Sequence, residues 1–436
     1  ADGNAQVSFS GTISGTSPII SVRDSTTDNM AMFYARSGAG LTLNGVQITG
    51  NSNWRFIICT ESGGNVTLEA GTQISGNTGA ERIINMGGII GNPTYGETSA
   101  GALKLNGTAE NLVKIANNSD SGCAVYTRGS VTASYAEITG NESSEEYSGL
   151  CAAGGYGGTI EHCKINNNTS DYYAGVYFDL GSGYPVTMTD TEISGNTVNG
   201  TSGGSIAGLC LGNYSDKNNT SWVPRIRVQN CTIKENVNNA GGFAGLRAIS
   251  STTGTVISDT KVTGNQSTGN AGIDLFGDER AVLARTTVEE NSGDGKSGII
   301  LSTTSIGTLS AMLALTGDCR ISEGQKVYFG SNRPLRLLTP IEQENKISLV
   351  LGETADASYF SVGRRVVVPY DGTLSPADIG YDSVEFLTDV TSEIEKFAGE
   401  NMPQDPYPTQ LAEDSPDIIL AEQGIYLDGV NGDDGR

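Results

Sequence analysis

From Val186 to Ile193 the chain reads Val-Thr-Met-Thr-Asp-Thr-Glu-Ile, so that every second residue can face a core, and this alternation returns along most of the sequence. A period of two marks a β-strand with one buried face. The strand at Val186 runs into a short signature, Ile193-Ser194-Gly195-Asn196. Ile48-Thr49-Gly50-Asn51, Ile74-Ser75-Gly76-Asn77, Ile138-Thr139-Gly140-Asn141 and Val262-Thr263-Gly264-Asn265 repeat it almost letter for letter. Looser copies occupy residues 115–118, 165–168, 233–236 and 288–291. Ile13-Ser14-Gly15-Thr16 is a degenerate first copy, and Ile321-Ser322-Glu323-Gly324 loses the Asn. From Ile48 to Val288 the copies recur at about 23 to 29 residues, with longer gaps after Ile74 and Ile193 where Gly- and Tyr-bearing insertions at 87–101 and 212–222 read as added loops.

Each period carries a second signal, a Gly followed by Ile, Leu or Val: Gly149-Leu150, Gly175-Val176, Gly208-Leu209, Gly245-Leu246, Gly272-Ile273 and Gly298-Ile299. Roughly three short strands per period, separated by turns, build parallel sheets when successive periods stack at about 4.8 Å. The stacking gives the repeated Asn a task. Its side chain can bond the equivalent Asn above and below, and Asn tolerates the left-handed backbone of a tight corner, as does the Gly before it. The expected fold is all-β: a single-stranded, right-handed parallel β-helix of about ten to twelve turns with a C-terminal β cap. Residues 1–330 form the coil, 331–395 its closing turns and cap, with a short helix over 390–398, and 396–436 an acidic, proline-containing linker towards a next module.

These Gly-[ILV] starts and Ile-x-Gly-Asn corners resemble the right-handed parallel β-helix proteins of bacterial surfaces. They are similar to the polymorphic outer-membrane-protein repeats and to β-helix segments of large surface proteins in gut Gram-positive anaerobes. The resemblance covers about residues 7–330. It implies an exported, monomeric segment of a longer chain on the outside of a bacterial cell, with a mucin glycan or an immunoglobulin as a plausible host partner. It carries no activity, because this fold hosts lyases, hydrolases, tailspikes and adhesins alike.

Composition narrows the partners. A formal net charge of −23 argues against nucleic acid and against an anionic membrane. No apolar run is long enough to span a bilayer. Seven cysteines without a C-x-x-C pair suit neither a zinc site nor a disulfide scaffold. Cys163, Cys231 and Cys319 instead share a column with Val46, Thr72, Ala136, Thr191, Thr260 and Thr286, two residues before the repeat Ile, where small inward residues are expected. The Asp/Asn/Gly cluster at 428–435 offers calcium ligands but misses the EF-hand spacing, so no cofactor is expected.

Catalytic constellations are equally thin. His162 is the one histidine, beside an inward Cys163 and at the bend position of Asp190. The outward column after the Gly step is expected to run Cys151, Tyr177, Cys210, Arg247, Asp274, Ile300, and two residues on Ala153, Asp179, Gly212, Ile249, Phe276, Ser302. Arg247 and Asp274 then form an ordinary surface pair. Asp179 and Asp274 stand three turns, about 14 Å, apart, too far for a glycosidase dyad. Aromatic residues, by contrast, gather between Asn141 and Asn236: Tyr147, Tyr156, Tyr172, Tyr173, Tyr177, Tyr184, Tyr214 and Trp222. Rings on a rigid scaffold offer contact area at low entropic cost. The expected function is non-catalytic binding of a host glycan or glycoprotein through Tyr172, Tyr173, Tyr177, Asp179, Tyr214, Trp222, Arg247, Asp274 and Phe276. A polysaccharide lyase or glycoside hydrolase is the first alternative, and an inert spacer the second.

Overall fold

The computed structural model describes residues 6–9, 12–14, 22–23, 30–35, 38–52, 54–60, 63–87, 101–144, 147–153, 156–180, 184–213, 224–250, 254–277, 280–302, 312–329, 333–351, 365–370, 372, 374–401, 405–407, 409–411 and 418–420. They form a right-handed parallel β-helix. The turn after Asn141 contains Gly158–Glu161 in a first sheet, Lys164–Asn166 in a second, and Val176–Leu180 in a third, with Thr169–Ser170 in a short ladder between the last two. Each pairs in parallel with its equivalent in the next turn: Val186–Thr189, Glu192–Ser194, Leu209–Asn213 and Thr197–Val198. The coil opens with Gln6–Phe9 and Thr12–Ser14, where Ile13 pairs with Ile48.

The inward positions form one continuous core from Met32 to Phe397. Ile138, Ile165, Ile193 and Ile233 succeed one another in register and are all 2% exposed or less. Each contributes roughly 1.5–3 kcal/mol by leaving water. Thr and Cys share the mouth of the second sheet because both donate backwards: Thr191 Oγ1 to Thr189 O at 2.8 Å, Cys231 Sγ to Gln229 O at 3.3 Å, Thr260 Oγ1 to Ser258 O at 2.8 Å. Burial raises the Cys163 and Cys319 thiols to about 11 and Cys231 to about 12, so they stay protonated and inert at neutral pH.

The asparagine ladder is complete from Asn51 to Asn291. Asn141 Nδ2 reaches Asn168 Oδ1 at 3.0 Å, Asn168 reaches Asn196 at 3.0 Å, Asn196 reaches Asn236 at 2.9 Å, and Asn236 reaches Asn265 at 2.9 Å. Each Oδ1 also accepts the backbone N–H of the preceding Asn, and each Nδ2 also donates to a strand carbonyl, as Asn196 does to Ile165 O at 2.9 Å. Gln325 ends the series by accepting from Asn291 at 3.3 Å. The ladder Asn itself is not left-handed, contrary to expectation. Left-handed backbone falls on the residue before it: Gly140 (φ 64), Asn167 (φ 56), Gly195 (φ 63), Glu235 (φ 55) and Gly264 (φ 64). The corner is turned one residue early, which frees the Asn to point inward and bond.

A second left-handed column separates the first sheet from the second: Tyr135, His162, Asp190, Asn230, Asp259 and Arg285. His162 lies at the bend as expected, stacked on Tyr135 at 4.6 Å, with Nδ1 3.7 Å from Asp190 Oδ2.

Among the described residues the second sheet ends at Ile321, whereas the first continues through Leu335–Leu337 and Arg365–Pro369 and the third through Lys326–Phe329, Ile347–Leu351 and Phe397–Asn401. The Asn corners vanish because the sheet they terminate vanishes. Among the described residues the first sheet carries fifteen strands, the last two joined by antiparallel pairings, so the coil has more turns than the Asn count suggests. In place of one helix over 390–398 stand a 3-10 helix, Thr391–Lys396, and the strand Phe397–Asn401. Leu374, Ile379, Tyr381 and Phe386 fold back over outward Val256, Val282 and Ala314 of the first sheet. Arg227 Nη1 donates to Asp378 O at 2.6 Å and ties the strap down. No helix among the described residues is long and apolar enough to cross a membrane.

Candidate binding face on the third sheet

The third sheet acquires its position from a glycine column. A Cβ on Gly149, Gly175, Gly208, Gly245, Gly272 or Gly298 would lie 1.9 to 2.2 Å from the carbonyl oxygen of the next turn, so only glycine lets the strands enter in register. The two outward columns follow as read from the sequence. Cys151, Tyr177, Cys210, Arg247, Asp274 and Ile300 pair in succession, as do Ala153, Asp179, Gly212, Ile249, Phe276 and Ser302.

The first of these columns is not open surface, which corrects the expected exposed face. Cys151 and Cys210 are 0% exposed, and Asp274 and Ile300 1%. The cover comes from the segment entering the sheet, where Tyr147, Tyr173, Ile206, Phe243 and Asn270 bridge from turn to turn. Tyr147 stacks on Tyr173 (centroids 5.1 Å, planes 8° apart), Tyr173 stacks on Tyr177 (4.3 Å), and Tyr172 meets Tyr173 edge-on (4.3 Å). Tyr177 and Tyr147 pack with Tyr126 over Cys151. Small Cys between large Tyr in the floor column gives the rings room to lean. Burial raises the Cys210 thiol to about 12 and the Tyr173 hydroxyl strongly.

Further along, Arg247 lies over Phe243 (4.0 Å) and Phe276 (4.8 Å), with Nε 3.0 Å from Asp274 Oδ2. Ser302 Oγ donates to Asp274 Oδ1 at 2.6 Å. Burial still outweighs these partners and raises the Asp274 carboxyl, while burial lowers the nearby Lys296 amine, set 5.7 Å from the Tyr328 ring. The pair is therefore a buried ion pair under aromatic cover, not ordinary sheet surface.

Asp179 differs. It is half-buried, its neighbours in register are Ala153 and Gly212, and it makes no hydrogen bond or ion pair within the described residues. Desolvation alone raises its carboxyl. Further along the chain, two residues before the first-sheet strands at Gly158 and Val186, stand Tyr156 (42% exposed) and Tyr184 (41%), centroids 5.4 Å apart, the two exposed large hydrophobics among the described residues.

The structure thus brings Tyr172, Tyr173 and Tyr177 together and sets Asp179 in the strand of Tyr177. Arg247, Asp274 and Phe276 join in a separate cluster further along the same face. Tyr214 and Trp222 lie outside the described residues, as does the Asp/Asn/Gly cluster at 428–435. Tyr156 and Tyr184 were not singled out from sequence as site residues; the signal was their position just after the third-sheet strands. Among the described residues no group of three or more His, Cys, Asp or Glu is placed to hold a metal. Comparisons of the chain with protein-family models, curated proteins and solved structures found no match in any of the three.

Proposed function

We propose that this β-helix is a binding rod of a bacterial cell surface, displayed as part of a longer protein, similar to the β-helix segments of polymorphic outer-membrane-protein type and of gut Gram-positive surface proteins. It captures a host glycoprotein, of the mucin or immunoglobulin kind, on the outer face of its third sheet. The observation that carries the reading is the Tyr147–Tyr173–Tyr177 stack, with the Asp179 carboxylate two residues on from Tyr177 and without a hydrogen bond or ion pair among the described residues, and the exposed Tyr156–Tyr184 pair in the segments that follow these strands. Rigid rings rimmed by polar groups are the composition of binding hot spots.

The raised carboxyls of Asp179 and Asp274 favour a second reading, a glycoside hydrolase or polysaccharide lyase. Against it stand their separation by three turns, about 14 Å, and the engagement of Asp274 by Arg247 and Ser302.

Retention on an array of mucin-type glycans, plant polysaccharides, matrix proteins and immunoglobulins tests the first reading. Saturable retention that is lost in Tyr156→Ala/Tyr184→Ala supports it, since both rings are exposed and their removal leaves the coil intact. New reducing or unsaturated ends appearing in an incubated polysaccharide would move the assignment to the enzyme. No retention and no products would leave a spacer.

A further inference from the structure

The outer face of the third sheet repeatedly sets a cation against an aromatic ring. Arg82 lies 4.3 Å from the centroid of Tyr126, Arg247 lies between Phe243 and Phe276, and Lys296 faces Tyr328. At Arg247 the arrangement is complete: a guanidinium between two rings with a carboxylate 3.0 Å from its Nε. Such a site gains from the ring quadrupole and from the ion pair together, and more so when partly desolvated.

Two turns before Arg247 the same face holds two of the three parts. Tyr173 occupies in its turn the bridge position that Phe243 occupies in its own, and Asp179 occupies the column that continues through Gly212 and Ile249 to Phe276. The carboxylate is half-buried and has no cation among the described residues, and its neighbours in register, Ala153 and Gly212, carry little or no side chain. The whole chain carries −23, which draws a basic partner towards it and repels an acidic one.

We propose that Asp179, with the Tyr172–Tyr173–Tyr177 cluster, receives an arginine or lysine side chain from a basic segment of a partner protein, completing in trans the cation–aromatic–carboxylate arrangement that Arg247 completes in cis. The proposal rests on the binding reading above and specifies what that face reads: the polypeptide of the host glycoprotein, not its sugars.

The probe is a hexa-arginine peptide, with the isosteric hexa-citrulline peptide as its uncharged counterpart, titrated calorimetrically into the full chain at about 0.15 M salt so that long-range attraction is screened. The wild type is expected to bind the arginine peptide at least tenfold more tightly than the citrulline peptide. Asp179→Asn, which keeps shape, should weaken binding about five- to tenfold, and Glu110→Gln, an exposed carboxylate between the first and second sheets, should leave it unchanged. Equal losses in the two variants, or equal affinity for the two peptides, overturn the proposal. Retention of a neutral glycan that survives Asp179→Asn but is lost in Tyr156→Ala/Tyr184→Ala overturns it too while sparing the binding reading. Failure of the wild type to retain any array member or either peptide sinks both.

Discussion

Arg247 and Asp274 stand directly opposite each other on neighbouring turns, 3.0 Å apart, the carboxylate 1% exposed and the guanidinium set against the Phe243 and Phe276 rings. Removing one member leaves the other charge in a desolvated place. Arg247→Ala or Asp274→Ala should each destabilise by about 3–5 kcal/mol, whereas the joint replacement Arg247→Met/Asp274→Leu should recover most of that loss. Chemical denaturation of the three variants checks this. Additive losses in the double variant would contradict it.

The ladder makes an equally local claim. Asn196 is 0% exposed, accepts from the backbone and side chain of Asn168, and donates to Asn236 and to Ile165 O. Asn196→Ala strands these groups, each costing about 1–3 kcal/mol when left unmet. A fall in the thermal midpoint is expected, and it should exceed that of Asn239→Ala, whose exposed side chain donates to Asn199 at 2.9 Å.

The glycine column permits a paired substitution. At Gly208 a methyl would sit 2.2 Å from the Gly245 carbonyl oxygen, so Gly208→Ala must push two turns apart and should abolish folding or lower the midpoint steeply. Gly203, with nothing within 4 Å, should accept Ala without loss. Circular dichroism melts distinguish the two.

Asp179 supplies a pH dependence with a definite sign. Its carboxyl is raised in the folded chain, so between the ordinary carboxylate value of about 4 and the raised one the folded state holds more protons than the unfolded state. The contribution of Asp179 to stability therefore declines as pH rises through that window. Asp179→Asn should melt higher than the wild type above it, with the advantage disappearing in acid. A difference that grows towards low pH would be the wrong sign.

Much of this architecture was legible in the chain because a coil repeats its constraints. Ile193, Asn196 and Gly208 each belong to a column that the sequence spells many times, and strand register turns that spelling directly into position. What escaped is what depends on cover from another segment. Nothing in Cys151, Cys210 or Asp274 announced that their outward positions lie under Tyr147, Tyr173 and Phe243, because the covering residues sit in entering segments of uneven length. The strap over Val256 and Val282 was hidden for the same reason, although the change in that outward column from Thr159 and Thr187 to Val256 and Val282 marked where a cover would lie. The left-handed residue before each Asn escaped because Gly and Asn both tolerate that backbone, so composition alone could not say which of the two turns.

The Asn ladder and the parallel sheets share one direction: every bond between turns runs along the axis of the rod. A pull on the two ends loads those bonds head-on and one rung at a time, unlike a sheet pulled along its strands, where many resist together. Each rung that opens releases about 26 residues, the spacing from Ile48 to Ile74, and thus roughly 90 Å of slack in place of about 4.8 Å of coil. Such a rod yields under tension by paying out tether from its ends while the remaining turns keep their register, and a ligand held at mid-length stays held.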